Sequence, residues 1–408
     1  MTSSTPIPAR SARTAAVIAA LAAVPLALTG CVANAAPGQA GAQRVAVSSS
    51  DTACEVSTGS ATSGTVTFTV KNTGTKVTEF YLLGENKLTI VGEVENIAPG
   101  TSRDLTAQLG PGSYFTACKP GMTGAGIGQA AFTVSGEQIS ASPEADAVVQ
   151  KYVGYVKSQS EELVPQVQQF VAAYQAGDDR EAKRLFPLAR VSYERIEPTA
   201  SSFGTLDPRI DYRKPGADEE GLPFTGFHRI EMDLWHAEAV AGGRYAGDDD
   251  LKPLTAAQRK KLGDQLLADV TELRDKVAAP DFSLTLSGIT EGAKGLLDEV
   301  AAPDGKLSGE ENEFAHTDLY DFTANVEGAQ VAFDTVRDLA IANGDTALVT
   351  ELDRRFADMT KLLASYGSYA QGFVSYDTVD DAQRAELAAT LNALSEPLSR
   401  LTAAVVKN

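Results

Sequence analysis

Two different spacings of apolar residues divide the chain. From Asp51 to about residue 138, apolar and polar residues alternate, as in Val66-Thr67-Phe68-Thr69-Val70, and turn sequences such as Gly110-Pro111-Gly112 interrupt the alternation. Successive side chains of a strand point to opposite faces, so this pattern is typical of short strands with one buried face. The sequence therefore predicts an N-terminal β-sandwich over residues 51–138.

From Ser142 onward, apolar residues recur every three or four positions, which predicts helices. Ser142-Pro143 is typical of a helix N-cap followed by the first helical residue. The fold class is therefore α+β multidomain, with residues 142–408 as an all-α helical bundle. Later helices are predicted near 255–279, 286–301, 309–343, 345–371 and 380–406.

The N-terminus carries an export signal. Arg10 and Arg13 precede an apolar run that is too short to span a bilayer, so residues 1–30 are interpreted as a signal peptide. This stretch ends in Leu28-Thr29-Gly30-Cys31, where small residues precede a cysteine, as in a bacterial lipobox. An ordinary signal peptide cleaved nearby is the alternative.

If the lipobox is used, Cys31 becomes the lipidated N-terminus, and residues 31–50 form a flexible tether to the outer face of the cytoplasmic membrane. Cys54 and Cys118 then remain as an even pair in an exported chain, which predicts a disulfide between them. The formal net charge of −19 disfavours nucleic acid as a partner and attracts cations.

The best candidate for chemistry is a histidine with a carboxylate three residues later, His228 and Glu231. Residues i and i+3 of a helix share a face, so both side chains could reach one metal ion. Glu194 and Glu197 repeat this spacing on another predicted helix, and Asp211 lies in the connection between the two. Carboxylate oxygens with one imidazole favour iron or manganese.

Structural roles could also explain these residues. Glu194 and Glu197 could pair with Arg190, Arg195 or Arg229 on a solvated helix face. In a second acidic stretch, Ser308 and Glu311 have the spacing of a capping box. His236 could support the site from behind or lie at the surface, and His316 does not share a helical face with Asp318.

Most catalytic motifs are absent from the sequence. There is no H-E-x-x-H, G-x-S-x-G, C-x-x-C-H or P-loop, so the chain is not predicted to be an enzyme. No histidine precedes His228, which excludes a blue-copper site in the sandwich. Glu79, Glu93 and Glu95 are the hard ligands that this domain could offer, with surface acids as the default interpretation.

Three segments together resemble the EfeO family, the exported components of ferrous iron uptake systems. They are Tyr193-Glu194-Arg195-Ile196-Glu197-Pro198, Phe224-Thr225-Gly226-Phe227-His228-Arg229-Ile230-Glu231, and Gly309-Glu310-Glu311 with the following His316-Thr317-Asp318-Leu319 and Asp321-Phe322-Thr323-Ala324-Asn325-Val326-Glu327-Gly328. In the first domain, Val94-Glu95-Asn96-Ile97-Ala98-Pro99-Gly100 is similar to the family's cupredoxin-like domain. The resemblance covers nearly all of the chain after Asp51.

The resemblance implies a cupredoxin-like sandwich followed by an imelysin-like, HxxE-containing helical domain in the cell envelope. It implies binding of Fe²⁺ or Fe³⁺, with another divalent metal such as Zn or Cu as the alternative, and delivery to a membrane iron permease, with a haem peroxidase as a partner in the same system. The implied metal ligands are Glu194, Glu197, Asp211, His228, Glu231 and Glu311.

Two other functions remain open at this point. The imelysin-like group has been classed with peptidases, in which case Glu231 would act as a general base on a metal-bound water. The missing second histidine counts against this. The other alternative is a protein that binds an acidic polysaccharide through bridging cations.

Overall fold

The computed structural model describes residues 43–85, 87, 90–122, 126–137, 142–301 and 306–406. The predicted signal peptide and the predicted lipidation at Cys31 lie outside these residues. The described residues belong to one compact unit, so the β-rich and helical parts are packed together.

The N-terminal part is a β-sandwich of two sheets. One sheet has the strand order β2-β1-β4-β7 and the other β3-β9-β8-β5-β6. Most pairs are antiparallel, but β1 with β4 and β3 with β9 are parallel. The strands are β1 Gln43–Ser49, β2 Cys54–Val56, β3 Ser60–Thr62, β4 Gly64–Asn72, β5 Thr78–Leu83, β6 Ile90–Ile97, β7 Ser102–Leu109, β8 Gly112–Pro120 and β9 Ile127–Ser135.

The alternating residues of the sequence form the sandwich core. Val66, Phe68 and Val70 of β4 are fully buried and pack with Phe80 and Phe132 of the opposite sheet. The tether predicted over residues 31–50 ends too late in the sequence. Residues 43–49 belong to the sandwich as β1, whose alternate side chains are buried in this core. Cys54 and Cys118 form a disulfide that joins β2 to β8, with their Cα atoms 5.5 Å apart.

The rest of the described chain is helical, with one small hairpin. The helices are α1 Pro143–Ala176, α2 Asp179–Glu194, α3 Leu206–Asp211, α4 Lys214–Glu220, α5 Gly226–Leu234, α6 His236–Gly242, α7 Ala256–Ala278, α8 Leu286–Val300, α9 Asp318–Ala342, α10 Thr346–Ala364, α11 Asp381–Leu398 and α12 Leu401–Val405. Short 3₁₀ turns cover Glu197–Ser202, Asp249–Leu251, Lys306–Ser308 and Tyr376–Thr378, and β10 Gly367–Ser368 pairs with β11 Gly372–Phe373. Of the helices described, none has the length and hydropathy to cross a bilayer.

Three predicted helices differ from expectation: two are shorter, and the one predicted over 380–406 is divided into α11 and α12 by a turn at Ser399 and Arg400. The helix predicted over 309–343 begins only at Asp318, and His316 has a left-handed φ of 52°. Residues 309–317 are irregular. The prediction that Ser308 and Glu311 form a capping box is therefore wrong, since no helix begins directly after Ser308. The helix predicted over 345–371 ends at Ala364 and is followed by the hairpin.

The sandwich packs on the helical part mainly through α8. Arg103 Nη1 of β7 lies 3.2 Å from Asp298 Oδ2 of α8, and Asn96 Nδ2 of β6 donates to the Asp298 carbonyl at 3.4 Å. A Cβ on Gly292 would lie 1.8 Å from the Pro198 carbonyl oxygen, so only glycine allows α8 to press against the turn that begins at Glu197. The sandwich is thus anchored next to the elements that carry the acidic residues.

Candidate metal centre

The predicted histidine and carboxylate lie on one helix and contact each other. His228 and Glu231 are in α5, with exposures of 2% and 1%, and His228 Nδ1 lies 2.9 Å from Glu231 Oε2. The i,i+3 spacing therefore joins the two side chains, but Glu231 takes the Nδ1 side of the ring. Glu231 orients the imidazole rather than sharing the open space at Nε2.

The other ring nitrogen faces two carboxylates. His228 Nε2 lies 3.7 Å from Asp211 Oδ1 and 3.6 Å from Glu311 Oε1, beyond hydrogen-bonding distance. Among the described residues, this buried Nε2 has no hydrogen-bond partner. One ligand atom from each of Asp211, His228 and Glu311 lies within 4.8 Å of the others, which is close to the separation of atoms bound to one metal ion.

Gly226 sets the distance between His228 and Asp211. It has a left-handed φ of 74°, and a Cβ there would lie 2.1 Å from the Ile210 carbonyl oxygen. Because glycine carries no Cβ, the start of α5 can touch the end of α3, where Asp211 is the last residue. This approach brings the imidazole next to the Asp211 carboxylate.

Glu231 also holds the irregular segment that carries Glu311. Its Oε1 accepts hydrogen bonds from the backbone N–H groups of Phe314 and Ala315, both at 2.9 Å. These N–H groups would bond to carbonyls four residues earlier if the segment were helical. The contact explains why residues 309–317 are irregular, and it places Glu311 opposite His228.

Arg190 lies at the centre of the acidic cluster. It is fully buried on α2, and its guanidinium contacts Glu194 at 2.5 Å, Glu311 at 2.9 Å, Asp321 at 3.3 Å and Asp211. The alternative interpretation, in which Glu194 pairs with Arg190, is therefore correct about the arginine but wrong about its exposure to solvent. The pair is buried inside the candidate site and not on a solvated face.

Lys306 contacts both members of the second predicted ligand pair, Glu194 and Glu197. Its Nζ lies 3.2 Å from Glu194 Oε2 and 3.3 Å from Glu197 Oε2. Asn325 Nδ2 donates to the same two oxygens, at 3.0 Å and 2.6 Å. Glu194 and Glu197 are thus brought together as predicted, but their oxygens face an ammonium and an amide.

The carboxylates change the protonation of the histidine. Burial, the largest influence, and Arg190 favour the neutral ring, but the hydrogen bond with Glu231 and the nearby negative charges of Glu311 and Asp211 outweigh them and raise the pKa of His228 to about 9. At neutral pH the ring of the metal-free chain is therefore protonated on both nitrogens. A metal ion that binds Nε2 must displace a proton, which makes its affinity depend on pH.

The two carboxylates that face Nε2 are affected in opposite directions. Burial is the largest influence on both, and it raises the pKa of Asp211 to about 6 despite Arg190. For Glu311, the positive charges of Lys306, His228 and Arg213 outweigh burial and hold the pKa well below its usual range. Glu311 is therefore an ionised oxygen donor at neutral pH.

Sequence reasoning assigned no role to four contributors to this cluster: Lys306, Arg213, Asp321 and Asn325. The two on α9 have a visible signal, because Asp318, Asp321 and Asn325 interrupt the apolar seam of that helix at helical spacing and are fully buried. Lys306 has no such pattern around it. A buried lysine is unusual without acidic partners, and its partners come from distant parts of the chain.

The other two histidines do not belong to the site. His236 begins α6, and its Nε2 lies 2.8 Å from the Leu251 carbonyl oxygen. His316 lies in the irregular segment. Within the described residues, the donors around His228 are one imidazole and several carboxylates, which suit iron, manganese or zinc.

Of the sandwich acids, Glu93 lies at the contact with the helices and Glu79 is buried. Glu79 is 4% exposed and accepts from the Tyr81 hydroxyl. Glu93 Oε1 would be 3.6 Å from a Cβ on Gly295 of α8. Burial, followed by the charges of Glu79 and Glu299, raises the pKa of Glu93 to about 8. These residues are therefore not simple surface acids.

Comparison with known proteins identifies both parts of the chain. Residues 148–401 match the model of the imelysin family, and residues 18–127 match that of the cupredoxin-like domain. The "Iron uptake system component EfeO" of Escherichia coli O1:K1 is 35% identical over 366 residues, covering 88% of this chain and 90% of the relative. The proteins of the same name from E. coli strain K12 and from Shigella flexneri are 34% identical with the same coverage.

One solved structure was also compared. It is that of a putative iron-regulated protein A precursor from Parabacteroides distasonis ATCC 8503. It aligns with a TM-score of 0.46 and 14% identity, covering 65% of this chain and 96% of that one.

Proposed function

Because the chain belongs to the EfeO family of iron uptake system components, we propose that it captures ferrous or ferric iron at His228, Asp211 and Glu311 and delivers it to an iron permease in the membrane. Iron is here the cargo. In this proposal the protein is exported and lipid-anchored through Cys31, a haem peroxidase acts in the same system, and the chain is not an enzyme.

The observation that carries the proposal is the buried Nε2 of His228. A buried polar atom without a partner costs free energy, so such atoms are rare unless they serve a function. Here the atom faces two carboxylate oxygens at 3.6–3.7 Å, and its ring is held from behind by Glu231. A metal ion between the three side chains would give Nε2 a partner and would share the Asp211 and Glu311 oxygens with Arg190.

The charge of the cluster supports a cation of high charge. Six carboxylates contact Arg190, Lys306 or His228, and three cations, Arg190, Lys306 and Arg213, offset half of their charge. With all six ionised and the histidine neutral, the cluster would lack three positive charges; in the metal-free chain, burial raises the pKa of Glu197 and of Asp321, so protons offset part of this deficit. A trivalent ion would supply all three, and a divalent ion two of them. The carboxylates are Glu194, Glu197, Asp211, Glu231, Glu311 and Asp321.

The test is metal binding by matched histidine variants. The purified chain is titrated with Fe²⁺ under anaerobic conditions and with Zn²⁺, as wild type, His228→Ala and His236→Ala. We expect His228→Ala to lower the affinity by more than about tenfold, since changes to residues that only orient a metal ligand already cost about 10–100-fold. His236→Ala should bind as wild type, because His236 contacts a backbone carbonyl outside the cluster. Equal affinity in all three proteins would refute the proposal.

Peptidase activity has weaker support. A zinc peptidase of the H-E-x-x-H type uses two histidines, and within the described residues His228 alone enters the cluster. Glu231 is also fully engaged, with one oxygen at His228 and the other at two backbone N–H groups, so it is poorly placed to activate a water. Cleavage of a peptide library by the zinc-loaded chain, lost in Glu231→Gln, would favour the peptidase instead.

A further inference from the structure

A lysine ammonium lies inside the acidic cluster, next to the proposed iron position. The Lys306 side chain is 3% exposed, and its Nζ contacts Glu194 Oε2 at 3.2 Å and Glu197 Oε2 at 3.3 Å. These are oxygens of the two glutamates that the sequence analysis expected to bind metal. An ammonium is a compact point charge with three donors, so it can take the place of a cation among carboxylates.

The lysine and the histidine share one oxygen of Glu311. Glu311 Oε1 lies 3.5 Å from Lys306 Nζ and 3.6 Å from His228 Nε2, so it borders both positions. The Lys306 ammonium and an ion at His228 would therefore share one carboxylate oxygen, as two neighbouring metal ions can. In this arrangement one of the two cations is covalently attached to the chain.

We propose that Lys306 fills a second metal position, bounded by Glu194, Glu197 and Glu311, and so restricts the His228 site to one ion per chain. This inference rests on the proposed function, because it requires the His228 position to bind a metal. Glu194 and Glu197 then hold the lysine and do not ligate the metal. The ion then has three protein ligands, Asp211, His228 and Glu311. It exchanges more readily than an ion that Glu194 and Glu197 also ligate.

The charge balance predicts what removal of the ammonium does. With Lys306 present, the cluster lacks three positive charges when its acids are ionised. Without it, the deficit is four, which two divalent ions would neutralise. The space left by Nζ is already bordered by oxygens of Glu194, Glu197 and Glu311, and Asn325 orients the first two. Lys306→Met removes the charge and keeps an unbranched apolar chain.

The experiment measures the number of ions per chain. Full-length wild type, Lys306→Met, Lys306→Arg and Lys294→Met are loaded with Zn²⁺ or anaerobic Fe²⁺, desalted and analysed by elemental mass spectrometry. We expect one ion in the wild type and two in Lys306→Met. Lys306→Arg keeps the positive charge and should bind one ion. Lys294 is the matched control, since it is also buried and paired with an acid, Asp298, but lies outside the cluster.

The outcomes separate the two proposals. A wild type without bound metal refutes the proposed function. One ion in both the wild type and Lys306→Met refutes only the role of Lys306. If Lys306→Met does not fold, anomalous scattering from the metal-loaded wild type decides: an ion on Asp211, His228 and Glu311, with Lys306 still bonded to Glu194 and Glu197, supports the inference. An ion bound to Glu194 or Glu197 overturns it.

Discussion

Replacing Glu231 by alanine tests whether one carboxylate holds both halves of the candidate site. Its Oε2 contacts His228 Nδ1, and its Oε1 accepts from the N–H groups of Phe314 and Ala315, all at 2.9 Å. The variant leaves these three buried donors without an acceptor. A buried donor that loses its partner costs about 1–3 kcal/mol. Because Ala315 is half-buried and water can reach it, we expect a total loss of about 4 kcal/mol in the free energy of unfolding.

The same variant should weaken metal binding. Without Glu231 the imidazole loses its orienting partner and Glu311 loses the support of its segment, so we expect affinity for Zn²⁺ to fall by about 10–100-fold. Stability is measured by urea unfolding without metal, and affinity by titration calorimetry. Glu231→Gln, which keeps one oxygen acceptor, should lie between the wild type and Glu231→Ala in both measurements.

Glu310→Ala is the matched control. Glu310 belongs to the same irregular segment, but its side chain is 39% exposed and pairs with Arg244 at the surface. Such exposed pairs contribute at most about 1 kcal/mol. If Glu231→Ala and Glu310→Ala lose the same free energy of unfolding, or if Glu231→Ala binds metal as tightly as the wild type, Glu231 does not have the role assigned to it here.

Two more substitutions test neighbouring parts of the structure. Gly226→Ala should push α5 away from the Ile210 carbonyl and lower metal affinity, with helix content by circular dichroism retained. Gly154→Ala is the control and should not change affinity, because the structure leaves room for a Cβ there. Unchanged affinity in Gly226→Ala would contradict the close approach. Burial raises the pKa of Glu93 to about 8 from 4.5, so the folded chain holds more protons than the unfolded chain between these pH values, and its stability falls as the pH rises through this window. Thermal unfolding of Glu93→Gln should show a smaller fall from pH 5 to 8.5 than the wild type or the exposed-residue control Glu55→Gln; equal slopes would contradict the raised pKa.

Local patterns were sufficient for the fold class and for the core of the site. Alternation along β4 predicted a strand with a buried face, and the spacing of His228 and Glu231 predicted that they share a helical face. Such features depend on residues within one turn or one strand, and the backbone geometry that relates them is the same in every protein. The pairing of Cys54 and Cys118 followed from their number and the predicted export of the chain.

What the spacing could not show is which partner each carboxylate takes. The Glu231 oxygens were expected to face a metal, but one is taken by the other side of the imidazole ring and the other by backbone N–H groups more than 80 residues away in the sequence. The same contact removes the first turns from the helix predicted to begin at residue 309. Helix propensity is a weak preference, and a buried carboxylate that accepts two backbone hydrogen bonds outweighs it.

The amino-acid sequence by itself predicted a β-sandwich followed by a helical part, an export signal on an acidic chain, and the residue types from which a cation site can be built. Only the tertiary structure decided which acids remain available to an ion. Lys306 contacts Glu194 and Glu197 at the far side of the cluster, while Asp211 and Glu311, which Arg190 also contacts, face the unpaired nitrogen of His228. The reason is that charge compensation inside a protein depends on distances of a few ångströms in space, and Lys306 reaches Glu197 across 109 positions of the chain.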